Sequence, residues 1–287
     1  MSYVRYSLAG LPVPGAIGWD AWAEEYAALG TANRTYALGK ELLHALVDEV
    51  SAPPSHRDAW VLDFNCGAGD DLARFLARGW HAVGCDGSPG MLRAAATRSE
   101  SELNKGRLEL WCGHAEELAP RSFDGRRFDL VFSTIGGFAY LDDEEFIRVH
   151  RLLASMLAPR GAMVIAHLTP FCAADSVYHF LHLRFRRAIE RWAGQVSVSI
   201  RKEKMKMRLR SPRHLRRLLA GVVQVERMSP LLWCTPPFQS GFVPGPRVLA
   251  VLRAIEQRTA RTSVLAAVAD QVVCFARPLS SSANNAR

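Results

Sequence analysis

The feature that most constrains the fold is an alternation of short apolar runs with amphipathic segments between residues 60 and 168. Runs of this kind predict buried strands, and segments with apolar positions three or four apart predict helices. Strands that alternate with helices form a parallel sheet covered on both faces, which places the chain in the α/β class. The predicted strands are residues 60–64, 81–85, 107–112, 128–133, 162–168, 222–228 and 271–276.

The pattern changes outside this region. Two helices precede the first strand, over about residues 19–29 and 38–50, after a loop-like start. Beyond residue 170 a helix at 173–192 precedes an extended stretch at 196–209, whose apolar positions switch from even to odd numbers. Because a strand cannot change faces without a bulge, a bend or a turn, we expect a break near residues 202–204.

Net charge is concentrated in one segment. The chain carries a formal charge of +8, but residues 184–217 hold thirteen lysines and arginines against two acids, so the rest of the chain is slightly acidic. A basic segment is either a solvated face or a docking surface for an anionic substrate or carrier protein. Few aromatic residues interleave with these charges, which makes nucleic acid an unlikely partner.

Residues 61–69, Val-Leu-Asp-Phe-Asn-Cys-Gly-Ala-Gly, predict a strand that enters a tight turn and opens a helix. Small residues there let the backbone approach a ligand, and free N–H groups at the helix start favour a negative group. Asp86 closes the second strand, where a carboxylate can accept hydrogen bonds from both ribose hydroxyls. The two features together predict a ribose-containing cofactor.

The residues around the glycines narrow the choice of cofactor. A dinucleotide fingerprint needs a glycine three residues after Gly69, and Leu72 stands there, while Asp70 and Asp71 would oppose a pyrophosphate. A P-loop is excluded because no Gly-Lys-Ser or Gly-Lys-Thr follows. A cationic sulfonium with an amino-acid tail fits better, since Asp63 can face its ammonium group.

Four motifs resemble, in order and spacing, those of the class I S-adenosylmethionine-dependent methyltransferases. They are residues 63–69, 86–92, 128–133 and 157–161. The resemblance covers about residues 19–170, and 271–276 corresponds to the family's last strand. It implies a doubly wound, seven-stranded, mostly parallel sheet with an antiparallel last strand, a substrate-covering insertion after strand 5, and S-adenosylmethionine as cofactor.

The resemblance also implies which residues hold the cofactor. Residues in the turns after the first four strands would contact the methionine portion, the ribose, the adenine edge and the floor beneath the sulfonium. An N-terminal tyrosine would cover the methionine end. These residues are Tyr26, Asp63, Asn65, Cys66, Gly67, Gly69, Asp86, Gly87, Ser88, Met91, His114, Ala115, Ser133, Thr134 and Ile135.

Two of these positions depart from the family pattern. Asn65 replaces the first motif glycine, which is acceptable because asparagine tolerates left-handed backbone angles better than most residues. His114 replaces the acid that contacts the adenine amino group, and a neutral ring nitrogen could accept the same hydrogen bond.

Candidates for the chemical step lie near the predicted carboxyl ends of the strands. His167 ends the fifth strand and is either a general base for a hydroxyl acceptor or a structural histidine, and Tyr140 is a second catalytic candidate or core. Possible substrate contacts are Tyr178, His179, His182 and Trp233, with Phe238 and Phe242 beside the last of these as an apolar lid. Each of these can equally face water or fill the core.

Metal chemistry is not expected. The acids at 142–145 could hold a divalent cation, but directly before an amphipathic helix they are better explained as cap and first-turn residues. The six cysteines form no CxxC pair, which favours reduced thiols and excludes a clustered iron–sulfur site. With no apolar run of about eighteen residues and no apolar start, we expect a cytoplasmic protein without a membrane contact.

The sequence therefore predicts a methyltransferase that acts on an O, N or C atom of a small molecule. Alternatives are an acceptor on nucleic acid or a carrier protein, a cofactor-binding homologue without methyl transfer, and a nicotinamide oxidoreductase. The expected organisation is helices covering the cofactor at 1–54, a core at 55–277 with an insertion at 171–210 and a lid-like segment at 233–258, and a disordered tail at 278–287.

Overall fold

The computed structural model describes residues 4–6, 18–52, 58–134, 136–200 and 203–279, with side chains left undescribed at 4–6, 199, 200 and 203. Its ten strands are β1 (Val4–Tyr6), β2 (Trp60–Phe64), β3 (His81–Asp86), β4 (Leu108–Cys112), β5 (Phe128–Ser133), β6 (Leu157–Leu168), β7 (Gln195–Ile200), β8 (Glu203–Arg208), β9 (Gln224–Leu231) and β10 (Gln271–Arg277). Its α-helices are α1 (Gly18–Ala32), α2 (Arg34–Asp48), α3 (Asp70–Ala77), α4 (Pro89–Arg98), α5 (Glu100–Asn104), α6 (Asp143–Ser155), α7 (Ala173–Leu181), α8 (Phe185–Ile189), α9 (Pro212–Leu219) and α10 (Pro246–Thr259).

The main sheet has the order β1-β4-β3-β2-β5-β6-β10-β9. Strands β2 to β6 are parallel to one another, whereas β10 runs antiparallel to both β6 and β9. The seven-stranded, mostly parallel sheet is confirmed. The loop-like start is corrected in part, because Val4–Tyr6 adds an eighth strand antiparallel to β4.

Two apolar layers cover the sheet. One contains α2, α3, α4 and α10, and the other contains α6, α9 and the short 3-10 helix Ser263–Ala267. The strands are apolar on both faces because both are covered, as parallel sheets require. Because β2, β3 and β5 are parallel, their carboxyl ends lie at one edge of the sheet, where the turns that follow them meet.

Helix starts follow the expected capping chemistry. Ser88 caps α4 by accepting from Met91 N at 3.1 Å, and Pro89 occupies the first turn. Asp142 caps α6 by accepting from Glu145 N at 2.9 Å, and the Glu145 carboxylate accepts from Asp142 N at 3.1 Å. The acids at 142–145 thus include a reciprocal helix cap.

The insertion at 171–210 differs from its prediction. The single helix expected at 173–192 is wrong, since α7 ends at Leu181 and α8 starts at Phe185 after Leu183 takes a left-handed φ of 57°. The predicted change of faces is a chain reversal: β7 and β8 pair antiparallel, with Ile200 opposite Glu203. The tail at 278–287 lies outside the described residues from 280 onward.

Other differences lie at element ends. The predicted strands 162–168 and 222–228 are found as Leu157–Leu168 and Gln224–Leu231. No helix in the part of the chain that the structure describes is long and apolar enough to cross a bilayer.

Candidate functional site

A cleft of about 710 Å³ opens at the carboxyl edge of the parallel strands. Its walls come from the turns after β2, β3 and β4, from α1, from the loop that follows β5, and from β8. The lining residues are Gly18, Trp19, Asp20, Tyr26, Asn65, Gly67, Asp86, Gly87, Ser88, Met91, His114, Ala115, Glu116, Gly137, Tyr140, Leu141, Met205 and Lys206.

The turn between β2 and α3 forms one wall of the cleft. Asn65 and Gly67 take left-handed φ values of 62° and 52°, which these two residues tolerate. Gly69 is also left-handed, and a Cβ there would lie 2.8 Å from the Cβ of Ala95. A side chain at position 69 would collide with α4, because α3 and α4 pack against each other at this point.

Asp86 stands opposite that turn at the end of β3. Its carboxylate accepts from Gly67 N and from Ser88 N, both at 2.9 Å, so it ties the turn after β2 to the turn after β3. Burial raises its pKa, although the two backbone N–H groups act in the other direction. Each oxygen keeps a further lone pair that can accept a hydroxyl group.

The α1 helix covers the cleft from above. The Tyr26 ring lies over the Gly67 turn, where a glycine Cβ would be 3.2 Å from Tyr26 Cε1. Asp20 accepts from Gly90 N at 2.7 Å and from the Ser88 hydroxyl, which fastens α1 to the start of α4. The sequence predicted Tyr26 in this position but missed Asp20, whose signal was its place one residue after Trp19.

Beneath the cleft lies a buried ionic cluster that the sequence analysis missed. Lys40 of α2 pairs with Asp71 and donates to Thr134 Oγ1 at 2.9 Å, and His44 Nε2 lies 2.9 Å from Asp71. Burial alone would raise the pKa of Asp71, but Lys40 and His44 outweigh burial and lower it. The signal was a lysine and a histidine four residues apart on the apolar face of α2.

Asp63 is buried next to this cluster and its Oδ2 has no partner among the described residues. Burial first, and then the Asp71 carboxylate, raise its pKa well above the ordinary value. Asn65 Nδ2 is likewise buried without a partner there, and Asn65 lines the cleft. An unpaired acceptor and an unpaired donor at the same turn suit a ligand that carries both an ammonium and a carboxylate.

The structure brings most of the predicted cofactor residues to the cleft. Tyr26, Asn65, Gly67, Asp86, Gly87, Ser88, Met91, His114 and Ala115 line it directly. Asp63, Cys66, Gly69, Ser133 and Thr134 lie behind the wall and shape it instead. Ile135 lies outside the described residues. A Cβ at Gly87 would lie 2.5 Å from His114 Nδ1, so the His114 ring packs directly on this glycine.

Tyr140 and His167 separate in space. Tyr140 lines the cleft, with its ring 6.3 Å from that of Trp19, and burial raises its pKa to about 12. His167 lies behind the loop 136–140, beside a water-sized cavity and the rings of Phe146 and His150. Burial lowers its pKa well below the usual value, which keeps it neutral. The structure does not bring His167 to the cleft.

The predicted substrate residues also lie elsewhere. His179 is buried beside Asp175, Tyr178 OH donates to Gly241 O at 3.4 Å, and His182 is exposed. Trp233 donates to Thr259 Oγ1 of α10 at 2.8 Å. None of these four residues lines the cleft.

The lid-like segment predicted at 233–258 packs on neighbouring helices in the structure. Phe238 contacts the Tyr36 ring of α2, Phe242 contacts Tyr178 of α7, and neither phenylalanine lines the cleft. The cover comes instead from the insertion at 171–210, whose strand β8 contributes Met205 and Lys206.

Comparisons with known proteins agree with this geometry. Residues 61–161 match the family model described as a methyltransferase domain. The chain is 32% identical over 133 residues to the demethylmenaquinone methyltransferase of Thermobifida fusca (strain YX). The aligned region covers 46% of this chain and 53% of that protein. The chain thus matches about half the length of this curated relative.

Solved methyltransferases share the fold at low sequence identity. An S-adenosylmethionine-dependent methyltransferase from Clostridium acetobutylicum ATCC 824 superposes with a TM-score of 0.56 at 12% identity, covering 90% of this chain and 98% of that one. The CcbJ methyltransferase from Streptomyces caelestis gives a TM-score of 0.53 at 15% identity, covering 84% and 90%.

Proposed function

We propose that this chain is an S-adenosylmethionine-dependent methyltransferase that acts on a small molecule, because residues 61–161 match the methyltransferase domain model and solved methyltransferases share the fold. The observation that carries the proposal is the cleft, where Asp86 and Asn65 line the same space as an aromatic wall. A nucleoside and an amino-acid tail match the first two features, and an acceptor matches the third.

The residues present fit this cofactor. Asp86 keeps acceptor capacity for the ribose hydroxyls, and Met91, His114 and Ala115 offer an apolar and hydrogen-bonding edge for adenine. At the other end, Asn65 can donate to a carboxylate, and an ammonium group beside Asp63 would oppose the rise in its pKa and favour its charged form. When bound, S-adenosylmethionine supplies an electrophilic methyl group on a sulfonium.

The chain's own contribution to the reaction is positioning and exclusion of water. Trp19 and Tyr140 form an aromatic wall, and Met205 from β8 adds to the cover. With a pKa raised to about 12, the Tyr140 phenol stays protonated at neutral pH and donates a hydrogen bond to the acceptor instead of taking its proton. An acceptor hydroxyl would then release its proton to solvent.

The acceptor end of the cleft favours an apolar molecule with an acidic group. Trp19, Tyr140, Leu141 and Met205 supply apolar surface, and Lys206 supplies a positive charge on the same wall. The Thermobifida fusca relative is named a demethylmenaquinone methyltransferase. We extend to this chain only an apolar ring system, and we propose that it carries an ionisable hydroxyl because Lys206 lies on the same wall.

Lys206 also keeps a second candidate open, an acceptor presented on an acidic carrier protein or nucleic acid. Such a partner would contact the basic segment at 184–217, and its affinity would fall steeply as salt is raised. A small acceptor held mainly by the apolar wall would be much less sensitive to salt.

Calorimetry with S-adenosylmethionine tests the proposal. Asp86→Asn removes the negative charge and should weaken binding about tenfold to a hundredfold, because hydrogen bonds to a charged acceptor contribute about 1.5–3 kcal/mol. Asp124→Asn is the matched control, since Asp124 is exposed on a distant turn. Equal affinity of both variants and the parent would contradict the site. Formation of S-adenosylhomocysteine with phenolic acceptors then separates methyl transfer from mere binding.

A further inference from the structure

The insertion carries an apolar face that the described chain leaves uncovered. Seven large apolar side chains on α7, α8 and the residues between and after them are 41–77% exposed. This set, called here the insertion face, consists of Val177, Phe180, Leu181, Leu183, Phe185, Ile189 and Trp192. Contiguous exposed apolar surface on a protein in water marks a contact with something else.

The spacing makes the face continuous. Val177, Phe180 and Leu181 are three and four residues apart on α7, which places them on one side of that helix. The rings of Phe180 and Phe185 approach to 5.8 Å between centroids, which joins the α7 side to α8. The face is therefore one surface across two helices.

Arginines are interleaved with this face. Arg184, Arg186 and Arg187 are exposed, and no acid among the described residues forms an ion pair with any of them. Elsewhere in the basic segment, by contrast, Arg191 pairs with Asp270 and Arg210 pairs with Asp143. The basic segment thus divides into arginines that hold the fold together and arginines that point to solvent beside apolar groups.

Leu183 lies at the centre of the insertion face in a position that normally belongs to glycine. Arg184 N donates to His179 O and Leu183 N donates to Phe180 O, which closes α7 with a Schellman motif. The left-handed residue of that motif is Leu183, with φ 57° and 76% of its surface exposed. A left-handed and exposed leucine costs stability, and its side chain gains little from packing within the described chain.

We propose that the insertion face docks on an anionic lipid surface. Apolar side chains that enter the headgroup region and arginines that contact anionic headgroups are the two requirements for peripheral binding of a helix pair. A second copy of this chain fits less well, because a symmetric contact would bring the same three unpaired arginines of each copy together. This proposal differs from the expectation of no membrane contact, and it does not rest on methyl transfer.

Sedimentation with lipid vesicles tests this inference on the full chain. The parent should partition onto vesicles that contain phosphatidylglycerol and much more weakly onto pure phosphatidylcholine. Replacing Arg184, Arg186 and Arg187 by Gln should reduce binding about a hundredfold, at about fivefold per arginine. Leu181→Ser should reduce it about tenfold by removing a side chain that is buried only on the vesicle.

Two controls keep folding apart from docking. Leu183→Gly removes the apolar side chain while relaxing the left-handed position, so it should weaken vesicle binding without lowering the melting temperature. Val251→Ser changes a 60% exposed valine on α10, which packs against α2, and should bind vesicles like the parent.

The opposite results would overturn the proposal. Equal binding to neutral and anionic vesicles, or no binding to either, would exclude an anionic lipid surface. A concentration-dependent dimer that Leu181→Ser dissociates would instead assign the insertion face to a second copy of the chain. Either outcome leaves the cofactor site and its calorimetric test untouched.

Discussion

The region around the cleft, called here the cofactor half, and the insertion at 171–210 differ in which side chains they bury and which they expose. Around the cleft, charged groups such as Lys40 and Asp71 are buried and paired. In the insertion, apolar groups such as Leu181 and charged groups such as Arg186 are both exposed. Buried charges fix the geometry of a site at a cost in stability, whereas exposed apolar groups gain nothing until a partner covers them. The first pattern is the one we expect of a ligand site, and the second is the one we expect of a docking surface.

Removing Lys40 gives the largest expected effect and tests the first half of the comparison. Lys40→Met leaves Asp71 as a buried carboxylate without its lysine, which should lower the free energy of unfolding by about 3–5 kcal/mol. Urea denaturation measures this change. Arg186→Met, the same type of change in the insertion, should alter stability by less than about 0.5 kcal/mol.

The double variant Lys40→Met with Asp71→Leu sharpens this result. Removing both charges should recover much of the loss, because the desolvation cost of the remaining carboxylate disappears. A Lys40→Met protein as stable as the parent would show that the cluster beneath the cleft is not an ion pair of consequence.

Gly69→Ala tests how tightly the cofactor half is packed. A methyl group at Gly69 combines a left-handed φ of 79° with a contact of 2.8 Å to Ala95 Cβ, and we expect a loss of about 3 kcal/mol. Gly79→Ala has a similar φ of 89° with nothing within 4 Å, so it should lose only about 1 kcal/mol. The difference, measured by thermal or urea unfolding, is the steric part, and equal losses would place the whole cost in the backbone.

The sequence predicted the cofactor half better than the insertion for physical reasons. Strands buried on both faces are continuous apolar runs, and the turns that follow them carry glycines and Asp86 in a spacing that few other sites need. The insertion lacked such signals. Because Leu183 stands where a helix-ending glycine is usual, the apolar periodicity of 173–192 predicted a single helix across a real break.

The site errors share another cause. Position at the end of a strand does not fix the direction of a side chain, since successive residues point to opposite faces. His167 therefore ends β6 yet packs against Phe146 and His150 of α6, away from the cleft. Trp233 and Tyr178 were predicted near the cleft from their positions in the sequence. In the structure Trp233 packs on α10 instead, and Tyr178 donates to Gly241 O.

The pH dependence of stability separates a buried histidine of the cofactor half from an exposed one in the insertion. His150 Nδ1 lies 2.8 Å from Phe146 O, and burial lowers its pKa to about 3 from about 6.5 in the unfolded chain. Its contribution is fully present above pH 6.5 and is lost as pH falls toward 3, because only the unfolded state takes up the proton. At pH 5 the loss of unfolding free energy amounts to about 2 kcal/mol.

His150→Leu should therefore flatten the decline of unfolding free energy between pH 6.5 and 4, measured by urea titrations at each pH. His182 makes the same local contact, with Nδ1 2.7 Å from Tyr178 O, but it is exposed. His182→Leu is the matched control, because it makes the same substitution at an exposed histidine. Parallel curves for all three proteins would mean that His150 is solvated when it takes up its proton.

The smallest expected effect concerns two neighbouring leucines of the insertion, and its sign carries the argument. Leu183→Gly should raise the free energy of unfolding by about 0.5–1 kcal/mol, because glycine adopts the left-handed conformation without a steric penalty. Leu181→Gly, at the last helical residue of α7, should lower it by up to about 1 kcal/mol. Both side chains are about equally exposed, so lost packing cannot explain opposite signs. If both variants are destabilised alike, Leu183 contributes to the folded monomer and the contrast between the two regions weakens.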